Sequence, residues 1–165
     1  MSGKIHRYLA GDHERLDTLL ERAMPDPENI DAAVYAEFRA GLLKHIGIEE
    51  KVLFPAARQQ RGGEALPLAA KLRLDHGALT ALLVPSPTTP IVAAIRAILR
   101  VHNTIEEDAG GAYEQCEELI GAEIDRILLE MRNFPYVKVL PHVDNPFVMD
   151  ATRRAIARAG YELEV

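Results

Sequence analysis

Residues 29–60, NIDAAVYAEFRAGLLKHIGIEEKVLFPAARQQ, decide the fold. Val34, Phe38, Leu42, His45, Glu49 and Val52 or Leu53 recur at steps of three and four, which places them on the inner face of one long helix. Two members of that face are not apolar. His45 and Glu49 are four residues apart, so they point the same way from the helix with one turn between their side chains. Pro55 has no N–H to donate to the carbonyl of Lys51, and the helix is expected to kink or open locally near its end.

The same period runs outward in both directions. Before this stretch, Ile5, Leu9, His13, Leu16, Leu20 and Ala23 form a single stripe that ends at MPDPEN, residues 24–29. After RGGE at 61–64, a third segment starts near Pro67, carries Ala69, Leu72, His76, Leu79 and Leu83 on one face, and stops at Pro85. A fourth opens with Thr88 or Thr89 as cap and Pro90 in its first turn. It places Ile91, Ile95, Ile98, His102, Glu106 and Ala109 inward, with Gly110 and Gly111 expected to loosen the helix without ending it. A further helical stretch covers about residues 122–132, followed by a loop with Pro135, Pro141 and Pro146 and a short basic helix, about 147–159, closed by Gly160. Four long amphipathic helices with short connections predict an all-α protein, an up-and-down antiparallel four-helix bundle over residues 1–132. Residues 133–165 are expected to form a C-terminal loop and short helical appendage packed on that bundle.

Composition agrees with one ordinary domain: 165 residues, 48% hydrophobic and 27% charged. A chain of this length buries roughly two-thirds of the surface its unfolded form exposes, enough for a core without cross-links. Cys116 is the single cysteine, which excludes an internal disulfide and thiolate zinc sites and fits a reducing compartment. A net charge of -6 with no block of Lys and Arg argues against nucleic acid or an anionic membrane as partner. The amino terminus lacks the apolar stretch of a signal peptide, and no run approaches the ~18 to 20 apolar residues that span a bilayer, so a cytoplasmic location is expected.

Four of the six histidines, His13, His45, His76 and His102, each replace a hydrophobic residue in an apolar stripe near the middle of a helix. Each half of the chain has a helix with a lone histidine followed by a helix with His-x-x-x-Glu. Packed up and down, the four helices bring these imidazoles and the carboxylates of Glu49 and Glu106 to one level of the core. A desolvated polar group without a partner costs ~1 to 3 kcal/mol and a bare carboxylate more, and no inward Lys or Arg occupies a matching position. Metal cations would compensate the charge. Imidazole and carboxylate without thiolate suit iron, manganese or zinc, and two carboxylates able to bridge favour a dinuclear iron site. Other polar groups read differently. Glu50, Glu107, Asp12 and Asp17 are expected at the surface or hydrogen-bonded to an imidazole from outside; His6 is expected at the surface. His142 reaches the site only if its loop folds over that end, Cys116 reads as a packing residue, and Tyr113 is the best candidate to line a ligand pocket.

LAGDHERLD around His13, LLKHIGIEEKVLFP around His45, LRLDHGAL around His76 and RVHNTIEED around His102 together resemble the hemerythrin-like, or HHE cation-binding, domain over about residues 5–130. The resemblance implies a non-haem centre of two iron ions, ahead of manganese or zinc, with an oxo or hydroxo bridge and a vacant position for dioxygen or nitric oxide. Carried over by position, His13, His45, His76 and His102 are the nitrogen ligands, and Glu49 and Glu106 bridge. The oxygen carriers of the family have a fifth histidine one turn before the third-helix ligand, where this chain has Leu72. The implied function is binding of a small diatomic ligand for sensing, storage or protection. The alternative is an enzyme or iron donor acting in iron-sulfur cluster repair or in peroxide or nitric oxide reduction.

Overall fold

The computed structural model describes residues 2–165 and, among them, contains α-helices and no β-strand. The four bundle helices are α1 (Lys4–Ala23), α2 (Ala32–Ile48) with its continuation α3 (Phe54–Gln60), α4 (Ala69–Leu82) and α5 (Thr89–Glu107). Short helices α6 (Ala112–Ile120) and α7 (Ile124–Arg132) follow, and α8 (Pro146–Arg158) comes last. Asp31 starts α2 by accepting from the N–H groups of Ala33 and Val34 at 3.1 Å, and Thr88 starts α5 by accepting from Ile91 N–H at 3.3 Å. Among the described residues no helix is long and apolar enough to cross a membrane.

The expected disturbance from Pro55 lies just ahead of the proline. Residues Glu49–Leu53 form a π-turn in which Phe54 N–H reaches back five residues to Glu49 O. The turn absorbs the register change that a residue without an N–H imposes, and it widens the helix at Glu49 itself. Such wide turns recur where a helix carries functional groups. The inner face also differs slightly from its sequence reading: Tyr35 is buried while Val34 is half-buried, and Leu53 rather than Val52 points inward.

The fourth helix ends earlier than its periodicity suggests. It stops at Glu107, Ala109 is exposed, and α6 is a separate helix. Gly110 takes a φ of +76°, a backbone conformation that side chains disfavour, and Gly111 packs against the end of α5. A Cβ on Gly111 would lie 2.7–2.8 Å from the carbonyl oxygens of Ile105, Glu106 and Asp108. Two glycines thus end α5 and let the chain fold back tightly enough to aim Tyr113 into the bundle.

The segment after α7 is pinned along the end of α4. Arg39, buried, donates from Nε to Leu83 O and from Nη1 to Leu140 O, both at 2.7 Å, and Val143 N–H donates to Val84 O at 3.1 Å. Helix α8 lies on α4, where Ile156 and Ala159 join the core and Thr152 donates to Ala81 O at 3.3 Å.

Candidate metal centre

The apolar core comes in two pieces. One contains Leu16, Leu20, Phe38, Leu42, Leu79 and Ile98; the other contains Leu9, Ile48, Leu53, Leu72, Tyr113 and Cys116. Between them, on all four bundle helices, lies a layer of polar side chains. His13 falls between Leu9 and Leu16, His45 between Leu42 and Ile48, His76 between Leu72 and Leu79, and His102 follows Ile98 by one turn. Glu49 and Glu106 are 0% exposed, and the four imidazoles range from 2% to 6%. The structure therefore brings together all six residues singled out in the sequence.

Their inward atoms form two groups that share both carboxylates: His13, His45, Glu49 and Glu106, and His76, His102, Glu49 and Glu106. In each group the potential ligand atoms lie within 4.8 Å of one another. Glu49 places Oε1 3.2 Å from His45 Nε2 and Oε2 3.0 Å from His76 Nε2. Glu106 places Oε2 3.3 Å from His13 Nε2 and Oε1 3.0 Å from His102 Nε2. Each carboxylate thus has one oxygen facing each imidazole pair, the geometry of a bridge between two centres.

Every outward Nδ1 meets a second carboxylate. His45 donates to Asp12 Oδ2 at 2.8 Å, His76 to Glu50 Oε1 at 2.9 Å and His102 to Asp75 Oδ2 at 3.2 Å, while His13 donates to Glu107 in a short contact. An ionised carboxylate only accepts, so each Nδ1 carries the proton and each Nε2 can turn a lone pair inward. The pairing is cyclic: the aspartate just before each lone histidine holds the imidazole of the next helix, and the glutamate just after each bridging glutamate holds a lone histidine. Asp12, Glu50 and Glu107 therefore support imidazoles, whereas Asp17 is exposed. Asp75, fully buried and also bonded to Lys71 Nζ at 2.6 Å, is the member that sequence reading missed. Its signal was the Asp-His dipeptide, which occurs at Asp12-His13 and again at Asp75-His76.

The electrostatics of the layer call for positive charge. Burial lowers the pKa of His45 and the charge of Glu49 with the bond to Asp12 raises it, with a net rise to about 10. His102 behaves alike, with burial opposed by Glu106 and Asp75 and the net again about 10. Burial disfavours ionised Glu49, yet the charges of the neighbouring His45 and His76 imidazoles hold its carboxyl well below the usual value. In the absence of a cation, protons on the imidazoles balance the two buried carboxylates.

The donor set fits metal ions better than protons. Glu49 Oε2 and Glu106 Oε1 are fully buried and have no hydrogen-bond partner, although an imidazole nitrogen stands 3.0 Å from each. His76 Nε2 and His102 Nε2 face each other at 3.1 Å, a spacing at which only one of them has room for a proton. Oxygen and nitrogen lone pairs aimed at common points, without aligned N–H groups between them, are what cations satisfy.

Tyr113 enters the layer from α6. Its hydroxyl lies 2.5 Å from Glu49 Oε1, 2.9 Å from Glu106 Oε2, 3.1 Å from His13 Nε2 and 3.4 Å from His45 Nε2. Burial, together with the charges of Glu106 and Glu49, pushes this hydroxyl well above its ordinary pKa. His6 is half-buried rather than at the surface: it stands edge-on to the Tyr113 ring at 5.9 Å and bonds Glu107 O at 2.9 Å. His142 is remote from the layer, with Nδ1 donating to Val84 O at 3.2 Å. Cys116 is a buried packing residue. His13 and Glu107 also face a groove of about 500 Å³ between α1 and α5, lined in addition by Asp17, Arg96, Arg100 and Asn103.

No curated protein and no solved structure matches the chain. The sequence pattern of one family, described as the hemerythrin HHE cation binding domain, matches residues 4–131, which spans all four bundle helices, the polar layer and α6. A cation-binding family over most of the chain agrees with a buried layer that can hold metal. The chain belongs to the hemerythrin HHE cation-binding family.

Proposed function

We propose that the protein holds two iron ions and binds dioxygen or nitric oxide reversibly, for sensing, storage or protection. His13 and His45 ligate one ion, His76 and His102 the other, and Glu49 and Glu106 bridge them. The observation that supports this most is the pair of donor groups sharing two buried carboxylates, with every imidazole oriented by an outer carboxylate. Nitrogen and oxygen donors without sulfur suit iron ahead of manganese or zinc in a helical bundle. When bound, the ions supply reversible redox change and a coordination position for a small molecule. The chain's own contribution is to hold four protons on the outward Nδ1 atoms, keep the Nε2 atoms inward, and exclude bulk water with an apolar cluster on each side.

Protein expressed with iron is expected to contain about two ions per chain, the number the paired donor groups accommodate. Its visible spectrum is expected to change on exposure to oxygen and to recover on its removal. Substoichiometric iron together with a spectrum indifferent to oxygen would overturn the reading. A second reading, iron donation or reduction of peroxide or nitric oxide, draws support from the α1/α5 groove, which leaves His13 and Glu107 next to solvent. It predicts turnover with a reductant that disappears in Glu49→Ala, or transfer of iron to an acceptor at a rate set by the groove.

A further inference from the structure

The two donor groups are alike in their histidines and carboxylates but not in what stands next to them. Around His13 and His45 there is a seventh polar side chain. The Tyr113 oxygen lies within 3.4 Å of all four donor atoms of that group, and it carries one proton for two carboxylate oxygens and two imidazole nitrogens. Once His13 and His45 turn their Nε2 lone pairs inward, as metal ligation requires, this oxygen faces four lone-pair atoms with a single proton, an arrangement that a cation resolves. Its placement is also firmly built. The residue is fully buried, its ring is stacked on His13 at 5.8 Å and met edge-on by His6, and its helix is set by the Gly110–Gly111 break.

Around His76 and His102 nothing comparable exists among the described residues. Leu72, fully buried, precedes His76 by one turn on the same face, and Phe54 stacks on the His76 ring at 6.4 Å. That side of the layer is walled by hydrocarbon.

We propose that the Tyr113 oxygen is a fifth protein ligand of the ion held by His13 and His45, leaving the open position for a small exogenous ligand on the ion held by His76 and His102. The phenol proton leaves to solvent as the cation takes its place, as metal binding releases protons from other ligands. The assignment rests on the two-ion reading above. The arrangement is the reverse of an oxygen carrier with its extra histidine on the third helix: here Leu72 opens the ion that such a histidine would fill, and the tyrosine closes the other.

The test loads wild-type protein and Tyr113→Phe with ferrous iron, oxidises both, and compares iron content, visible absorption and resonance Raman scattering. Wild type is expected to show a phenolate-to-iron(III) charge-transfer band with enhanced phenolate ring modes, and Tyr113→Phe is expected to lose both while keeping about two ions per chain. A wild-type protein with two ions and no such band, or a band that persists in Tyr113→Phe, overturns this assignment and leaves the two-ion reading standing. Protein that binds neither ion overturns both. Azide supplies the second arm. Leu72→His, which places an imidazole at the open position, is expected to weaken azide binding about tenfold or more. Azide binding unchanged in a folded Leu72→His protein that still carries two ions places the open position elsewhere and refutes the second half of the proposal.

Discussion

Replacing Asp75 by Asn separates the support of an imidazole from its identity as a ligand. Asp75 is fully buried, and its Oδ2 accepts from His102 Nδ1 at 3.2 Å. Asn is nearly the same size, so packing survives, but the amide removes the negative charge and can present an NH₂ group to Nδ1. Either change weakens the preference for a proton on Nδ1 and a lone pair on Nε2. Loss of such an outer partner reduces metal affinity by about 10- to 100-fold, or roughly 1.4 to 2.8 kcal/mol. Folding should suffer less. Lys71 Nζ, the other partner of Asp75, is partly exposed and also donates to Ala159 O at 2.8 Å, so it keeps a bond. The assay is anaerobic titration of ferrous iron into the apoprotein against a chromophoric chelator, with thermal melting of the same samples. Affinity in Asp75→Asn within about threefold of wild type, with the fold intact, would refute the idea that the outer carboxylate sets the imidazole for metal. Asp12→Asn, acting on His45 in the other donor group, should give a similar loss.

The remaining predictions concern pH and the backbone. The raised pKa values of His45 and His102 mean that, without metal, their contribution to stability is full below the ordinary value of 6.5 and is lost as pH rises through about 10. Melting temperature of apoprotein should therefore fall between those values, by roughly 2–4 °C for each kcal/mol lost, while metal-loaded protein holds steady because ions replace the protons. An apoprotein melting temperature that stays flat across this window contradicts the charge balance described for the layer. Gly111→Ala should destabilise by about 1–3 kcal/mol, because its Cβ would meet three backbone carbonyl oxygens that cannot withdraw. The check is differential scanning calorimetry, and an unchanged melting temperature would mean that the α5–α6 break tolerates a side chain.

Much of the centre was legible because helical order is local. A side chain on the inner face of a helix repeats every three or four residues, so a histidine or glutamate that interrupts an apolar stripe announces itself without knowledge of any other helix. His13, His45, Glu49, His76, His102 and Glu106 were all visible for that reason. Pro55 was visible as well, since the lack of an N–H is a property of the residue; where the helix would open was not, because a wide turn can take up the mismatch on either side of the proline. Asp75 was hidden. It follows the helical period as well as an exposed residue would, and only its proximity to His102 on another helix distinguishes it.

The amino-acid sequence by itself therefore determined four helices, their buried faces and a set of six nitrogen and oxygen donors without sulfur. Tertiary structure alone decided how those donors divide. That His13 pairs with His45 and His76 with His102, that each glutamate spans both pairs, and that each outer carboxylate serves a different helix all depend on the rotation and crossing of helices. The same holds for Tyr113, whose oxygen meets His13 from 100 residues away because two glycines turn the chain after Glu107. Local periodicity specifies which face is inward, but contact between inward faces is a long-range property, set only when the apolar clusters above and below the polar layer pack together.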